Sequence, residues 1–265
     1  MLNKLLKYDL KYMIKNMSIF YILAIFFSVT TRILFSLKET IIINIIGQIS
    51  VGCMFAMLAN ILINTMMRSW VRFRDSIYKD ESYLTHTLPV TKNDIYNSKF
   101  IETLVFFIFG FMIIIICLFI AYYTKDRWLL LKGYIDTITI GLDFNTLLFI
   151  ISMLGVIFLE VFNAIQCGFL GIILGYKKNN NKIAFSVLFG FISYILSQSI
   201  VLLLVFIIGL FNPSIMNLFK SNILVDTSSF KLLIILSIIL YLLIIFLMSI
   251  ICKKEFNKGV NIEWI

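Results

Sequence analysis

Polar side chains are few within the apolar stretches of this chain, and their types decide which chemistry they could support. Glu160, Asn163 and Gln166 fall on a broad arc of one apolar run, and Asn60 and Asn64 are one helical turn apart in another. A carboxylate in such surroundings is costly unless it faces a partner or a watery cavity. For Glu160 two interpretations stay open: a role in a translocation path or in coupling, and structural pairing. For the asparagines we expect a hydrogen bond between packed helices.

The motifs of common catalytic and metal sites do not occur in the sequence. It contains no G-x-x-x-x-G-K-[ST] nucleotide-binding loop, no H-E-x-x-H and no G-x-S-x-G. His86 is the only histidine, and the four cysteines lie in apolar runs without Cys-x-x-Cys spacing. We therefore expect no catalytic residue, cofactor or metal in this chain, and cysteines that serve as buried packing residues.

The composition indicates which elements must position these groups. Of the 265 residues, 61% are hydrophobic and the mean hydropathy is +1.00, whereas soluble domains are about 45–50% apolar. A bilayer-spanning helix needs about 20 apolar residues. Six runs meet this length, at residues 17–37, 41–67, 100–123, 147–174, 183–211 and 232–252. The sequence therefore predicts an all-α integral membrane protein with six transmembrane helices in one domain over residues 1–265. In the fourth run, Gly171 and Gly175 form a G-x-x-x-G pattern that predicts close helix packing.

The basic residues predict the orientation of these spans. If the N-terminus is cytoplasmic, 16 of the 23 Lys and Arg residues lie on that side. The positive-inside rule then places both termini and the segment 68–98 in the cytoplasm. Because the net charge of +9 follows this membrane pattern, we expect the lipid bilayer, and not nucleic acid, as the partner of the basic residues.

Residues 1–16 show the pattern of an amphipathic helix. Four lysines share one face, and leucine, tyrosine and methionine side chains occupy the other. We predict that this helix lies along the inner membrane surface before span one. Asp9 projects from its apolar face, so we expect it either to snorkel or pair with a nearby lysine, or to contact the protein's own cytoplasmic loop or a partner.

The segment 68–98 is predicted to form a helix, a break and a second helix. Pro89 ends the first helix, and Thr91-x-x-Asp94 is typical of the capping box that begins the next one. Apolar residues would be exposed in this cytoplasmic segment, at Leu84, Leu88 and Val90. Such a patch fits a groove on a partner protein. The alternative is a solvated loop that folds back on the N-terminal helix.

Two stretches resemble a known family. Arg74–Tyr78, followed by Asp80-Glu-Ser-Tyr-Leu-Thr-His-Thr-Leu-Pro-Val90, is similar to the cytoplasmic loop of ABC-2 type exporter permeases of low-GC Gram-positive bacteria. That family shows an acidic-Gly-Tyr-Leu-Thr-x-Thr-Leu-Pro run, and this chain has Ser82 in place of the glycine. The opening Leu5-Leu6-Lys7-Tyr8-Asp9 also resembles the start of the family, with Asp9 where glutamate is common.

The resemblance implies a permease domain in the bacterial cell membrane that dimerises with itself or a close paralogue. Two separate ATP-binding subunits would supply ATP and Mg, and the amphipathic helix and cytoplasmic loop would contact them. The implied contact residues are Asp9, Asp80, Glu81, Ser82, Tyr83, Leu84, Thr85, Thr87, Leu88 and Pro89. The substrate path would lie at the dimer interface, lined mainly by spans one, two and five. Some members export amphipathic membrane-active peptides, such as phenol-soluble modulins, so an amphipathic or hydrophobic substrate is expected.

Two other functions remain open from the sequence. One is an ion- or proton-coupled secondary transporter in which Glu160 is the coupling carboxylate and the two three-span halves are inverted repeats. The other is a membrane sensor or immunity subunit that binds without transporting.

Overall fold

The computed structural model describes residues 2–37, 40–79, 81–87, 89–124, 128–130, 132–136, 146–216 and 227–259. The regular structure of these residues is helical throughout. We label the helices α1 (Leu2–Ser36), α2 (Ile41–Tyr78), α3 (Ser82–Thr87), α4 (Lys92–Tyr122), α5 (Thr146–Gly175), α6 (Lys182–Phe211), α7 (Pro213–Met216) and α8 (Thr227–Asn257). Short helical pieces also occur at 128–130 and 132–136.

Six of these helices are long and apolar enough to cross a membrane: α1, α2, α4, α5, α6 and α8. The predicted all-α fold with six membrane-spanning helices is confirmed, and the chain is a multi-pass membrane protein. The helices extend beyond several predicted spans, since α2 continues to Tyr78 and α4 already begins at Lys92. Hydropathy finds only the lipid-compatible part of a helix, whereas the backbone hydrogen bonds continue through polar residues.

The chain divides into two compact units, Met1–Trp128 and Leu129–Ile265, and each contains three of the candidate spans. In the first unit α1 packs against both α2 and α4, and α3 packs against α2. Its apolar core joins α1, α2 and α4 through Met17, Tyr21, Ala24, Met54, Leu58, Ile61, Cys117 and Ala121. Hydroxyls add a polar contact between two helices, because Thr31 Oγ1 lies 2.9 Å from Ser50 Oγ.

One expected boundary is absent from α1. Residues 1–16 were predicted to form a helix of their own, but α1 continues from Leu2 to Ser36, and the sequence has no proline or glycine there to end it. The amphipathic pattern is nevertheless found in the first turns of α1. Asp9, Met13 and Met17 recur every four residues and are all buried, whereas the lysines at positions 7, 11 and 15 are exposed. This stripe of the segment therefore packs against protein, whereas Tyr8, Tyr12 and Ile14 remain exposed.

In the second unit α5 packs against both α6 and α8. The G-x-x-x-G prediction is confirmed by the backbone distances. A Cβ added to Gly171 would lie 2.5 Å from Gly190 Cα, and one added to Gly175 would lie 2.5 Å from Ser186 Cα. Only glycine allows α5 and α6 to approach this closely. At the same end of the unit, Lys177 Nζ lies 2.5 Å from Glu255 Oε2 and joins the α5–α6 connection to α8.

The four cysteines are free thiols. Cys117, Cys167 and Cys252 are buried and Cys53 is half-buried, in agreement with the packing role expected from the sequence.

Candidate functional site

The break between α2 and α4 is built by local hydrogen bonds. Ser82 N donates to the Lys79 carbonyl over 2.7 Å, and Thr85 donates through both its backbone N and its hydroxyl to the Glu81 carbonyl. Before α4, Thr91 Oγ1 accepts from Asp94 N at 3.2 Å and donates to Asp94 Oδ2 at 2.7 Å. The predicted helix, break and capped second helix are therefore confirmed, with α3 as the short helix.

The two faces of α3 differ sharply in exposure. Ser82 and Thr85 face the protein and are 3% and 8% exposed, whereas Tyr83 and Leu84 are 69% and 67% exposed. Thr87 and Pro89 are also exposed. The remaining predicted contact residues, Asp80 and Leu88, lie outside the described residues. We call α3 with Glu81 and Pro89 the contact segment.

The contact segment is joined to α2 and α1 through one guanidinium. Arg72 Nη1 lies 2.6 Å from Glu81 Oε2, and Arg72 Nη2 lies 2.8 Å from Asp9 Oδ1. The ring of Tyr12 covers the same guanidinium at 4.5 Å from its centroid. Arg72 therefore binds carboxylates from two different segments at once, as its planar fork of donors allows.

Helix α4 completes this network. Lys99 Nζ lies 2.7 Å from Asp9 Oδ1 and 3.9 Å from Glu102 Oε2. Asp9, Lys99 and Glu102 are each at most 4% exposed. We define the buried charge network as Asp9, Arg72, Glu81, Lys99 and Glu102. Together these side chains connect α1, α2, α4 and the contact segment.

Asp9 is buried within the protein. Its side chain is 3% exposed and is held by two cations, and its contact with a partner subunit stays a prediction. The expected pairing with a lysine and the expected contact with the protein's own loop region are both found. Asp9 is linked to the contact segment through Arg72 and Glu81.

The stability of this network depends on its buried members, Asp9, Arg72, Lys99 and Glu102. A buried charge that loses its partner costs about 3–5 kcal/mol, because the remaining charge keeps its desolvation penalty. Two carboxylate oxygens, Asp9 Oδ2 and Glu102 Oε1, are buried without a hydrogen-bond partner among the described residues. The cations therefore stabilise carboxylates that are otherwise incompletely solvated.

Arg72, Lys99 and Glu102 were not among the residues that the sequence patterns singled out. The sequence did contain a signal that Asp9 needs cationic partners. Asp9, Met13 and Met17 mark a buried stripe of α1, and an acid on a buried stripe requires cations from neighbouring helices. The identity of those cations could not be read from spacing, because they lie 63 and 90 positions away along the chain.

The intramembrane polar residues of the second unit do not form one cluster with each other. Asn163 Nδ2 donates to Ser197 Oγ on α6 over 2.9 Å. Gln166 is fully buried, and neither of its amide atoms has a partner among the described residues. Glu160 is half-buried. Structural pairing of Glu160 with a cation is not found in the described part of the chain.

The asparagines of α2 differ from expectation. Both are half-buried, and Asn64 Nδ2 donates to the Asn60 carbonyl over 3.0 Å within the same helix. Within the described residues no bond from this pair to another helix is found, and the Asn64 amide bonds the preceding turn of its own helix instead.

Among the described residues, no group of three or more His, Cys, Asp or Glu side chains is arranged to hold a metal ion. The part of the chain that the structure describes thus offers two groupings of functional interest: the contact segment with its buried charge network, and the surroundings of Glu160. No family model, no curated protein and no solved structure matches this chain.

Proposed function

We propose that this chain is the membrane-spanning permease subunit of an ABC-2 type exporter, driven by a separate ATP-binding subunit. The observation that carries the proposal is the contact segment. It exposes Tyr83 and Leu84, while a buried charge network holds the base of the segment. The predicted orientation makes this surface cytoplasmic, where the ATP-binding subunit would be.

The exposed pair has the chemistry of a docking element. A tyrosine and a leucine that are both about two-thirds exposed on a short helix present apolar area without a partner in the described chain. Aromatic and aliphatic anchors of this kind fill grooves on partner proteins and dominate binding energy. Because Ser82 and Thr85 fix the opposite face, the segment is pre-organised and loses little entropy on docking.

The buried charge network would transmit a displacement of the contact segment to α1, α2 and α4. A displacement of the contact segment acts on Glu81, and Glu81 is bound to Arg72 on α2. Arg72 and Lys99 both bind Asp9, so α1 and α4 must follow or the buried ion pairs must separate. Separation is expensive, so we expect these helices to move together. ATP and Mg would be bound by the partner, in keeping with the missing nucleotide-binding loop.

The substrate class follows from the character of the spans. Apart from Arg32, Glu102 and Glu160, the six predicted span ranges contain no charged residue, which suits an amphipathic or hydrophobic substrate, such as a membrane-active peptide, better than a sugar. Export through a path at the interface of two permease copies, in the cell membrane, is part of the same proposal.

Co-purification tests the proposal. The chain is expressed with a candidate ATP-binding subunit from its gene neighbourhood, and ATPase activity of the isolated complex is measured. Leu84→Asp is expected to abolish co-purification or coupled ATPase activity, because a charge replaces the exposed anchor. The matched control is Leu130→Asp, the same substitution at a leucine that is 64% exposed and predicted to lie on the opposite side of the membrane. Equal complex formation and activity in both variants would contradict the docking role.

A proton-coupled transporter is supported by one observation, the half-buried Glu160, which forms no salt bridge within the described residues. Uptake driven by a proton gradient in vesicles that contain this chain alone would favour it. A sensor or immunity subunit would instead bind its ligand with no transport and no stimulated ATPase activity.

A further inference from the structure

Two segments of the second unit concentrate its lysines: residues 176–184, around the connection of α5 and α6, and residues 252–259, at the end of α8. Together they contain six lysines and one acidic residue, Glu255. We define the lysine patch as Glu255 with these six lysines: Lys177, Lys178, Lys182, Lys253, Lys254 and Lys258. The patch therefore has a large excess of positive charge.

Glu255 holds the two segments together. Its Oε2 lies 2.5 Å from Lys177 Nζ, and its Oε1 lies 2.5 Å from Lys258 Nζ. Both carboxylate oxygens are thus used within the patch. The neighbouring Cys252 and Phe256 are fully buried, so the end of α8 that carries the lysines is packed into the unit. The lysines therefore share one surface with a fixed geometry.

The lysine patch borders an exposed apolar surface on α6. Lys178 Nζ lies 6.0 Å from the centroid of the Phe189 ring, on the second turn of that helix. On the same two turns Ile183 is 53% exposed and Val187 is 69% exposed. Exposed apolar side chains of a spanning helix contact acyl chains, and a lysine beside them extends its ammonium group to the headgroups. Lys178 therefore lies where headgroups and acyl chains meet.

The start of α6 adds space and positive potential beside these lysines. An open depression of about 470 Å³ is lined by Asn181, Lys182, Ile183 and Ala184. The Asn181 side chain forms no capping hydrogen bond with the first turn of α6. The partial positive charge at this helix end is therefore not offset by a capping side chain, and it adds to the charge of the lysines.

We propose that the lysine patch binds the headgroup of an anionic phospholipid, with the acyl chains along the exposed side chains of α6. Phosphate oxygens form charge-assisted hydrogen bonds with ammonium groups, and clusters of four to eight basic residues beside a membrane span attract anionic headgroups. A soluble anion would use the lysines alone, whereas a phospholipid also uses Ile183 and Val187. The inference is independent of the proposed export function, because the contact segment has no part in it.

Native mass spectrometry tests the patch on the full chain. The protein is delipidated in a neutral detergent and titrated with dioleoyl phosphatidylglycerol, and the dissociation constant is obtained from the bound fractions. One lysine near a membrane surface contributes about 1 kcal/mol, which is about fivefold in affinity. We therefore expect the combined variant Lys178→Gln, Lys182→Gln and Lys254→Gln to bind at least about tenfold more weakly. Arginine at the same three positions should retain binding.

The matched control removes the same charge from the first unit. Lys7→Gln, Lys11→Gln and Lys15→Gln replace three exposed lysines of α1, so the net charge equals that of the patch variant. This control should lose clearly less affinity. Size-exclusion profiles identify a variant that fails to fold, and the single variants Lys178→Gln and Lys254→Gln then decide, each with a loss of about fivefold.

Three outcomes would overturn the proposal. Equal weakening by the two triple variants would mean that net charge, and not the patch, attracts the lipid. Equal affinity for dioleoyl phosphatidylcholine, or full displacement by glycerol phosphate, would exclude an anionic phospholipid as the ligand. Unchanged phosphatidylglycerol binding in the patch variant, together with lost co-purification of an ATP-binding subunit, would assign the patch to a protein contact instead.

Discussion

Arg72 Nη2 lies 2.8 Å from Asp9 Oδ1, although the two residues are 63 positions apart in the chain. Only 11% of the arginine side chain and 4% of the aspartate side chain are exposed. The pair joins the first turns of α1 to the part of α2 that extends beyond the predicted span. A short-range pattern could not specify this contact, and its burial makes it sensitive to the loss of either partner.

We therefore expect Arg72→Met to destabilise the first unit by about 1.5–3 kcal/mol, because Asp9 loses one of its two cations and Glu81 loses its partner. Thermal unfolding of the detergent-solubilised protein measures the effect. The control is Arg74→Met. Arg74 binds its neighbour Asp75 at a site where a quarter or more of each side chain is exposed, so the expected loss is at most about 1 kcal/mol. Equal losses in the two variants would contradict the special role of Arg72.

Glu81→Lys should separate coupling from stability. The substituted ammonium would repel Arg72 and release the contact segment from α2, so stimulated ATPase activity should be lost. Because 46% of the Glu81 side chain is exposed, solvent screening keeps the change in unfolding free energy near 1 kcal/mol or less. Membrane insertion and the unfolding temperature are measured beside activity. Glu81→Lys with full ATPase stimulation would argue against this link.

The close contact of α5 and α6 predicts opposite effects of one substitution at two glycines of the same helix. Gly171→Ala should strongly destabilise the second unit, because the new methyl would meet the Gly190 backbone at 2.5 Å. Gly155→Ala should be neutral or stabilising by up to about 1 kcal/mol, since no atom lies within 4 Å of its added Cβ and alanine favours a helix. Unfolding temperatures of the two variants provide the comparison. A stable Gly171→Ala would mean that the helices pack less closely.

The predicted membrane orientation is testable with single cysteines. In a background without the four native cysteines, Tyr83→Cys should react with a membrane-impermeant maleimide only after the cells are opened. Leu130→Cys should react in intact cells, because three spans separate it from the N-terminus. Both positions are well exposed. A position that is not labelled in intact cells therefore lies on the side of the membrane that the maleimide cannot reach. Labelling of Tyr83→Cys in intact cells would reverse the orientation.

Local chemistry explains why parts of the structure could be predicted from the sequence. Long apolar runs specify spanning helices, Thr91 and Asp94 specify a helix start, and Gly171 with Gly175 specify a close approach. Each of these depends on residues within a few turns of one another. The continuity of α1 was not predicted, because the change from charged to apolar residues near position 16 was interpreted as the end of a helix. A helix continues through such a change unless a helix-breaking residue such as proline interrupts its backbone hydrogen bonds.

The buried charge network shows what sequence patterns leave open. Lys99 and Glu102 lie within two positions of residue 100, where a predicted span begins. Charged residues are common at such a boundary. Only the packing of α1, α2 and α4 makes them partners of Asp9. Asn60 and Asn64 show the converse, because a pattern that favours contact between helices is satisfied within α2.

The unbroken α1 also has a mechanical consequence. From Asp9 to Arg32 it extends about 34 Å at 1.5 Å per residue, which is close to the full depth of a bilayer's hydrocarbon core. A helix of that length is held by Arg72 and Lys99 near one end and is bonded to the Tyr123 carbonyl near the other. We therefore expect a sideways shift of its charged end to tilt the whole helix and to displace its far end as well.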